Sequence, residues 1–309
     1  MEGVNQVEQN KSYLQVLEEE RKKIVSKQNL CYGLAVLLIG VAILFFFFQR
    51  EWSFVLSFML FLIGIVLISV TTSTVNRFSK KFKTSVVEEM IKEELGNSAV
   101  YRRNGGIAID EINRLRVARC PDRFTSEDYI QAVYADVPFE ICDYTMQQRV
   151  VTRTAKGQQV VSYQTYFKGR IIKIQLKRKL DMALRIVNEA PSGFDRLGLD
   201  SFETEVIDFN QRFKCYASDQ EKAFYVLTPL LIQKMLELEK MYSGGMCFIL
   251  QDNCFYVWIN DSKDSLEVNI RKPIDQAQLA RFRSEILLAP SIINEFDLDS
   301  DKFNKDIRI

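Results

Sequence analysis

Histidine is absent from the chain. That removes the Ser-His-Asp triad, the Cys-His pair, the HExxH zinc site and the two-His iron centre together. The phosphate loop GxxxxGK[ST], the GxGxxG fingerprint and the GxSxG elbow are missing too. Gly105-Gly106 and Gly244-Gly245 stand as turns before strands, because neither opens a helix after a strand. The six cysteines, Cys31, Cys120, Cys142, Cys215, Cys247 and Cys254, show no disulfide-framework spacing. Cys247 and Cys254 lie nearest in sequence but have no CxxC partner. They read as small apolar residues rather than metal ligands. No metal and no cofactor is expected. Charge of one sign is lacking as well. Lysine and arginine number 41 against 40 acids, a net of +1, so there is no general electrostatic reason to bind nucleic acid.

What is present is apolar length. Residues 31–48 carry no charge and no proline. As a helix they run roughly 27 Å, close to the hydrocarbon thickness of a bilayer. Residues 54–75 are uncharged as well and end in small hydroxylated residues. Only Gln49-Arg50-Glu51-Trp52-Ser53 separates the two. So short a link lets two helices return antiparallel. Trp52 suits the headgroup zone, where an indole has both an apolar body and a polar tip. A cleaved signal peptide fits poorly, because the first stretch follows a long charged leader and no small-residue cleavage site follows it.

Orientation follows from lysine and arginine near the span ends. Arg21, Lys22, Lys23 and Lys27 precede the first span. Arg77, Lys80, Lys81 and Lys83 follow the second, and the short loop offers Arg50 alone. Both termini are therefore expected in the cytoplasm. Arg50, Trp52, Arg77, Lys80, Lys81 and Lys83 are the expected contacts with the membrane interface, the basic ones through anionic headgroups.

The architecture expected is a membrane α-helical hairpin plus a soluble α+β domain with mainly antiparallel sheet. Residues 1–29 form a cytoplasmic juxtamembrane helix, with Glu18 and Glu19 each four residues before a lysine. Residues 30–75 form the two-helix transmembrane hairpin (30–48 and 54–75). Residues 76–98 form a helical stalk stopped by Gly96-Asn97. Residues 99–309 form a cytoplasmic α+β domain. Within it, short apolar runs at 107–109 and 115–118 read as strand material. Residues 137–144, 160–167, 170–176 and 183–187 read as strands, and 246–250 with 255–260 as a hairpin. Thr228 caps a helix with Pro229 at its first position. Residues 275–288 read as an amphipathic helix. Gly33, Gly40 and Gly64 are small enough to let helices pack, and Ser69 and residues 71–74 offer further contacts.

Several words carry a resemblance. They are Glu127-Asp128-Tyr129, Phe167-Lys168-Gly169, and Phe202-Glu203 followed by Phe209, Phe213, Tyr216, Ser218-Asp219-Gln220, Ala223 and Leu227-Thr228-Pro229. With the two-span start, the chain resembles an uncharacterised bacterial two-pass membrane-protein family, a domain of unknown function often found near LemA-type proteins. The resemblance implies a bacterial cytoplasmic membrane and no activity. The chain departs from it after Tyr129, where Ile130, Gln131 and Ala132 stand in place of the expected valine and glycine.

The ligand- or partner-binding candidates are Glu127, Asp128, Tyr129, Asp219, Glu221 and Tyr225. Paired carboxylates can hold a divalent cation or act as acid and base. Against that, Asp219 before a helix caps it, and Glu221 favours its positive end. Glu127 and Asp128 fit a turn before a strand. Two uncharged spans offer no ion or substrate route in one copy. The reading this favours is a non-catalytic, membrane-anchored interaction or scaffold protein with a protein partner or a second copy, and with the lipid bilayer. Two alternatives stay open. One is a ligand sensor or metal-dependent hydrolase using those carboxylates, which requires them to converge. The other is an oligomeric lipid-interacting or channel-like protein.

Overall fold

The computed structural model describes residues 2–47, 51–154, 157–300 and 303, without the side chains of 2–12 and 51. Arg50, Ala155, Lys156 and the residues from 304 onward lie outside the described residues. The chain forms two compact units: Met1–Glu88 with Glu267–Phe282, and Glu89–Leu266 with Arg283–Ile309.

The first unit is built on α1 (Glu2–Phe46) and α2 (Glu51–Phe82), the latter passing into a π-helical turn at Lys83–Val87. Both helices are long and apolar enough to cross a membrane. Their contact seam repeats every seven residues. Arg21, Gln28, Ala35 and Ala42 are buried on α1, and Gly64, Thr71 and Phe78 on α2. This is the spacing that keeps one stripe of each helix on its partner. In the apolar part the seam is made of small residues, so the backbones approach closely. Ser57 Oγ donates to Ala42 O at 2.7 Å, and a Cβ at Gly64 would lie 3.1 Å from Ile39 Cγ1. Gly33 and Gly40, expected at such a seam, face open space. Thr71, Thr72 and Thr74 donate to carbonyls of their own helix, not across it.

Residues 267–282 complete this unit. Arg21 Nη1 donates to Ile270 O at 2.6 Å, and Glu18 accepts the Ile274 N–H at 2.9 Å. Lys83 Nζ lies 2.8 Å from a Glu267 carboxylate oxygen, Ser79 Oγ donates to the other at 2.8 Å, and Phe82 packs on Phe282. Lys83 therefore corrects the expectation of a headgroup contact. It is 1% exposed, because a partner far along the chain neutralises it. Lys81 pairs with Glu20 at 2.6 Å, while Arg77, Lys80 and Trp52 are exposed.

The second unit opens with most of α3 (Glu88–Leu95), closed by Gly96 at φ +88°, whose N–H returns to Lys92 O. Its frame is a nine-stranded antiparallel sheet. The strands are β1 (Val100–Asn104), β2 (Arg123–Tyr134), β3 (Val137–Arg153), β4 (Gln159–Gln175), β5 (Leu184–Val187), β6 (Asp200–Phe202), β7 (Lys214–Ala217), β8 (Gly245–Gln251) and β9 (Cys254–Asn260). Their order is β1-β2-β3-β4-β9-β8-β5-β7-β6. Ala135 and Asp136, both at positive φ, make the two-residue turn that joins β2 to β3. The expected hairpin at 246–260 is β8–β9.

One face of the sheet buries Cys142, Tyr144, Phe167, Ile171 and Trp258 beneath residues 107–118. The apolar runs at 107–109 and 115–118 are not strands. They flank α4 (Ile109–Arg114) and turn back at Arg116, φ +49°. Runs that short bury equally well as helix or turn, so their periodicity does not decide. On the opposite face α9 (Leu288–Glu295) packs on β3 and β4, after α8 (Gln276–Ile286). Residues 160–167 and 170–176 form one strand rather than two. Gly169 carries it past β9, where a Cβ would sit 2.0 Å from Ile259 O. The remaining helices are α5 (Ile207–Arg212), α6 (Gln220–Val226) and α7 (Pro229–Met241), with Thr228 accepting the Leu231 N–H as its cap.

Candidate functional site

Alternation along β3 and β4 puts two ionic clusters on opposite faces of the sheet. Asp143 and Arg170 are cross-strand partners on one face, and Glu140 and Lys173 on the other.

The first cluster is buried. Asp143 accepts from both the backbone N–H and the hydroxyl of Ser265, the former at 2.9 Å. Arg170 Nε lies 3.5 Å from Asp143, and its Nη1 2.6 Å from Glu285. Burial pushes the Asp143 carboxyl up, against the pull of Arg170 and Ser265, and nearby Asp128 pushes it further. Asp128 itself sits at φ +53° in a bulge of β2, where the pairing with β3 slips between Glu127 and Ile130. Its carboxylate accepts the Tyr101 hydroxyl at 2.6 Å. Thus Glu127 and Asp128 do not precede a strand. They lie within one, at its bulge. A cavity of about 30 Å³ opens beside Asp143, bounded by Glu127, Lys168, Lys263 and Asp264. That is room for one water.

The second cluster is a chain of hydrogen bonds. Tyr129 donates to Glu140 at 2.8 Å, and Lys173 Nζ sits between Glu140 (3.0 Å) and Glu111 (2.8 Å). Tyr256 donates to Glu111 at 2.8 Å. Burial works to raise the Glu111 carboxyl, but Lys173 and Tyr256 outweigh it and hold it below the ordinary range. The same bonds with burial push the Tyr129 and Tyr256 phenols well above theirs. Next to it is a cavity of about 270 Å³, walled by Glu111, Arg114, Gln251, Asn253, Cys254 and Tyr256. Ligand pockets usually exceed ~300 Å³. Burial raises the Cys254 thiol, and it pushes Cys215 and Cys247 up to about 12. These thiols stay protonated and make poor nucleophiles.

Asp219 caps α6, accepting the Lys222 N–H at 3.1 Å, and that bond holds its carboxyl below the usual range. Glu221 lies in the first turn, and Tyr225 is half exposed on the same helix. The six candidates thus divide. Asp219, Glu221 and Tyr225 gather at α6, which follows β7 in the chain, while Glu127, Asp128 and Tyr129 lie on β2. Six strand steps separate β2 from β7, about 29 Å at ~4.8 Å per step. Their carboxylates do not converge. Among the described residues, no three Cys, Asp or Glu side chains are grouped to hold a metal ion.

Asp143, Arg170, Lys173 and Arg185 are the residues the sequence reading missed. Arg185 is fully buried and donates to the main-chain carbonyls of Asp195 and Leu115, tying both segments to β5. Each sits between two apolar neighbours in a central strand, or beside a glycine for Arg170. A charge in that position must find a partner across the sheet or in a covering segment.

Residues 165–298 match the family model described as Protein of unknown function (DUF3137). The matched span starts within β4, contains the Phe202 to Pro229 block and Phe167-Lys168-Gly169, and excludes the apolar helices and β2. This agrees with the resemblance to an uncharacterised family. Comparison with curated proteins gave no match. Among solved structures, the chain is similar to the crystal structure of the mycobacterial trehalose monomycolate transport factor A, TtfA. Identity is 6%, over 68% of this chain and 96% of that one, at a TM-score of 0.36. A likeness at that level carries no inference about fold or role.

Proposed function

We propose that this protein is a membrane-anchored adaptor. In this reading α1 and α2 cross the cytoplasmic membrane of a bacterium, and the sheet unit binds a protein partner in the cytoplasm without catalysing a reaction. The carrying observation is the exposure of the apolar helices. Of the most apolar 18-residue window of each, only 11% and 17% is buried. Leu30, Val36, Leu37, Phe46, Phe58 and Val66 each leave more than half their surface uncovered. A soluble helix pair would turn such residues inward. Residues 31–48 hold 12 Leu, Ile, Val or Phe and residues 54–75 hold 14. At ~0.3–0.6 kcal/mol each, insertion gains about 4–8 kcal/mol per span, and neither span carries a charge to oppose it. The bacterial setting rests on the resemblance, and the cytoplasmic side on the basic residues flanking the spans.

The adaptor part rests on the sheet unit's chemistry. Arg170 is paired with Asp143 and Glu285, and Lys173 with Glu111 and Glu140, while Arg185 is held by main-chain carbonyls. The unit's buried thiols are protonated, and among the described residues no three carboxylates or thiols are grouped to hold a metal ion. The test combines alkaline carbonate extraction with crosslinking in native membranes. The reading expects retention in the carbonate pellet and one protein partner captured in stoichiometric amount. Release into the supernatant rejects the anchor, and capture of no protein besides this chain rejects the adaptor.

A further inference from the structure

Beyond the sheet, β3 and β4 continue as a two-stranded arm. The last pairing of β3 with β2 is at Gln147, and that of β4 with β9 at Arg170. Both outer edges are first closed by side chains. Asp122 accepts the Arg149 N–H at 2.8 Å on the β3 side, and Asn260 accepts the Lys168 N–H at 3.0 Å on the β4 side. Past Tyr166, whose carbonyl lies 3.5 Å from Asn260 Nδ2, the β4 edge pairs with no other strand over Gln159 to Thr165 among the described residues. Seven residues at ~3.4 Å give about 24 Å of edge.

The hydrogen-bond phase of this edge is fixed. Thr154 N–H donates to Gln158 O, so the pairs Thr152–Val160 and Val150–Ser162 exchange the ladder bonds. The N–H and C=O groups of Gln159, Val161, Tyr163 and Thr165 therefore point outward. Natural edges are guarded by lysine, proline, inward charges or a covering segment. The stretch QVVSYQT has no charge, no proline and no glycine, and is rich in β-branched and aromatic residues. Val160, Val161 and Tyr163 are each more than a third exposed. A lone two-stranded ribbon is marginal in water, so a third strand stabilises it.

Charge says what kind of strand. Along the arm, from Tyr144 to Phe167, there is no acidic residue, and Arg149, Arg153 and Lys156 are basic, in a chain whose total is nearly neutral. On the face shared by Val161 and Tyr163 stand Arg149 and Arg153, both exposed, with the Arg123 guanidinium 3.9 Å above the Tyr163 ring. A second copy would lay its own basic arm against this one. We propose that the open edge of β4, from Gln159 to Thr165, accepts an extended acidic segment of a partner protein as an added strand, its carboxylates directed at Arg123, Arg149 and Arg153. Main-chain bonds supply the affinity and alternate side chains the selectivity. The inference rests on the adaptor reading and names its contact surface.

The test uses the full chain in lipid nanodiscs and a labelled seven-residue peptide alternating glutamate with valine, read by fluorescence anisotropy. Controls are the lysine counterpart, the acidic peptide N-methylated at alternate residues, and duplex DNA. The acidic peptide is expected to bind at least about tenfold more tightly than the lysine one, and N-methylation to weaken it roughly tenfold through lost main-chain bonds. Val161→Pro removes an outward N–H without breaking the ladder to β3 and is expected to weaken binding similarly. Should that variant lose the arm, Arg149→Glu with Arg153→Glu is the second probe, and it should reverse the preference between the two peptides. Equal binding of the N-methylated peptide, no binding of the acidic one, or tighter binding of DNA overturns the proposal. Carbonate extraction of the same protein reads the anchor separately: retention without peptide binding rejects the edge alone, and release rejects the anchor alone.

Discussion

Replacing Asp143 by alanine tests whether the buried ion network holds the sheet unit together. Asp143 and Arg170 are each less than a tenth exposed, and the carboxylate also takes two hydrogen bonds from Ser265. Alanine leaves the Ser265 N–H and hydroxyl without an acceptor, at ~1–3 kcal/mol for a buried group. It also leaves Arg170 with Glu285 as its remaining carboxylate, and breaking a buried pair costs about 3–5 kcal/mol. Burial and Asp128 already strain the Asp143 carboxylate, which brings the total to the lower end, about 4 kcal/mol. That is a large part of a domain's ~5–15 kcal/mol. Asp143→Asn keeps an acceptor for Ser265 and removes the repulsion from Asp128, so it should cost less than half as much. The assay is urea denaturation in detergent, followed by the fluorescence of Trp258, buried on β9, in a Trp52→Phe background. An alanine variant within about 1 kcal/mol of the parent, or an asparagine variant as unstable as the alanine one, would refute the reasoning.

Three more outcomes follow from the same geometry. Gly64→Leu should force α1 and α2 apart, because even a Cβ there meets Ile39 at 3.1 Å; thermal unfolding in detergent should fall by several degrees, whereas Gly40→Leu, which meets nothing, should leave it unchanged. Gly169→Ala should prevent β4 from lying against β9, since its Cβ would sit 2.0 Å from Ile259 O; the readout is the yield of folded protein and quencher access to Trp258. Glu111 titrates below its ordinary value of 4.5 in the fold. A depressed carboxylate contributes stability that is complete above the unfolded pKa and is lost as pH falls through the folded one. Glu111→Gln should therefore flatten the stability profile below about pH 4.5, and an unchanged acid limb would contradict the Lys173–Glu111 assignment.

What the sequence made legible was local chemistry. Thr228 and Pro229 start α7, and Asp219 caps α6, because capping depends on neighbours three residues away. The β8–β9 hairpin was visible for the same reason, since its turn lies between two apolar runs. The two apolar helices follow from length alone. The seam between them did not follow. Ala35 and Ala42 face α2, while Gly33 and Gly40 face away, a choice of helical phase that depends on the partner helix. Long-range partners were hidden likewise. Nothing near Lys83 announces Glu267, and nothing near Asp143 announces Ser265. Glu127 and Asp128 read as a turn before a strand and not as a bulge within one, because the bulge is a slip against β3. Residues 145–153 and 160–167 read as extended, but that they run on past the sheet as an arm did not show, because their alternation continues unchanged after the sheet beneath them has ended.

The central claim is that α1 and α2 cross a membrane with the sheet unit on the cytoplasmic side. Cysteine labelling with a membrane-impermeant maleimide tests it most directly. Cys120 is exposed on the sheet unit, Cys142, Cys215, Cys247 and Cys254 are buried, and Trp52, 84% exposed at the start of α2, can be replaced by cysteine. The account predicts that Trp52→Cys reacts only in right-side-out vesicles and Cys120 only in inverted ones. Reaction of both from the same side would contradict it.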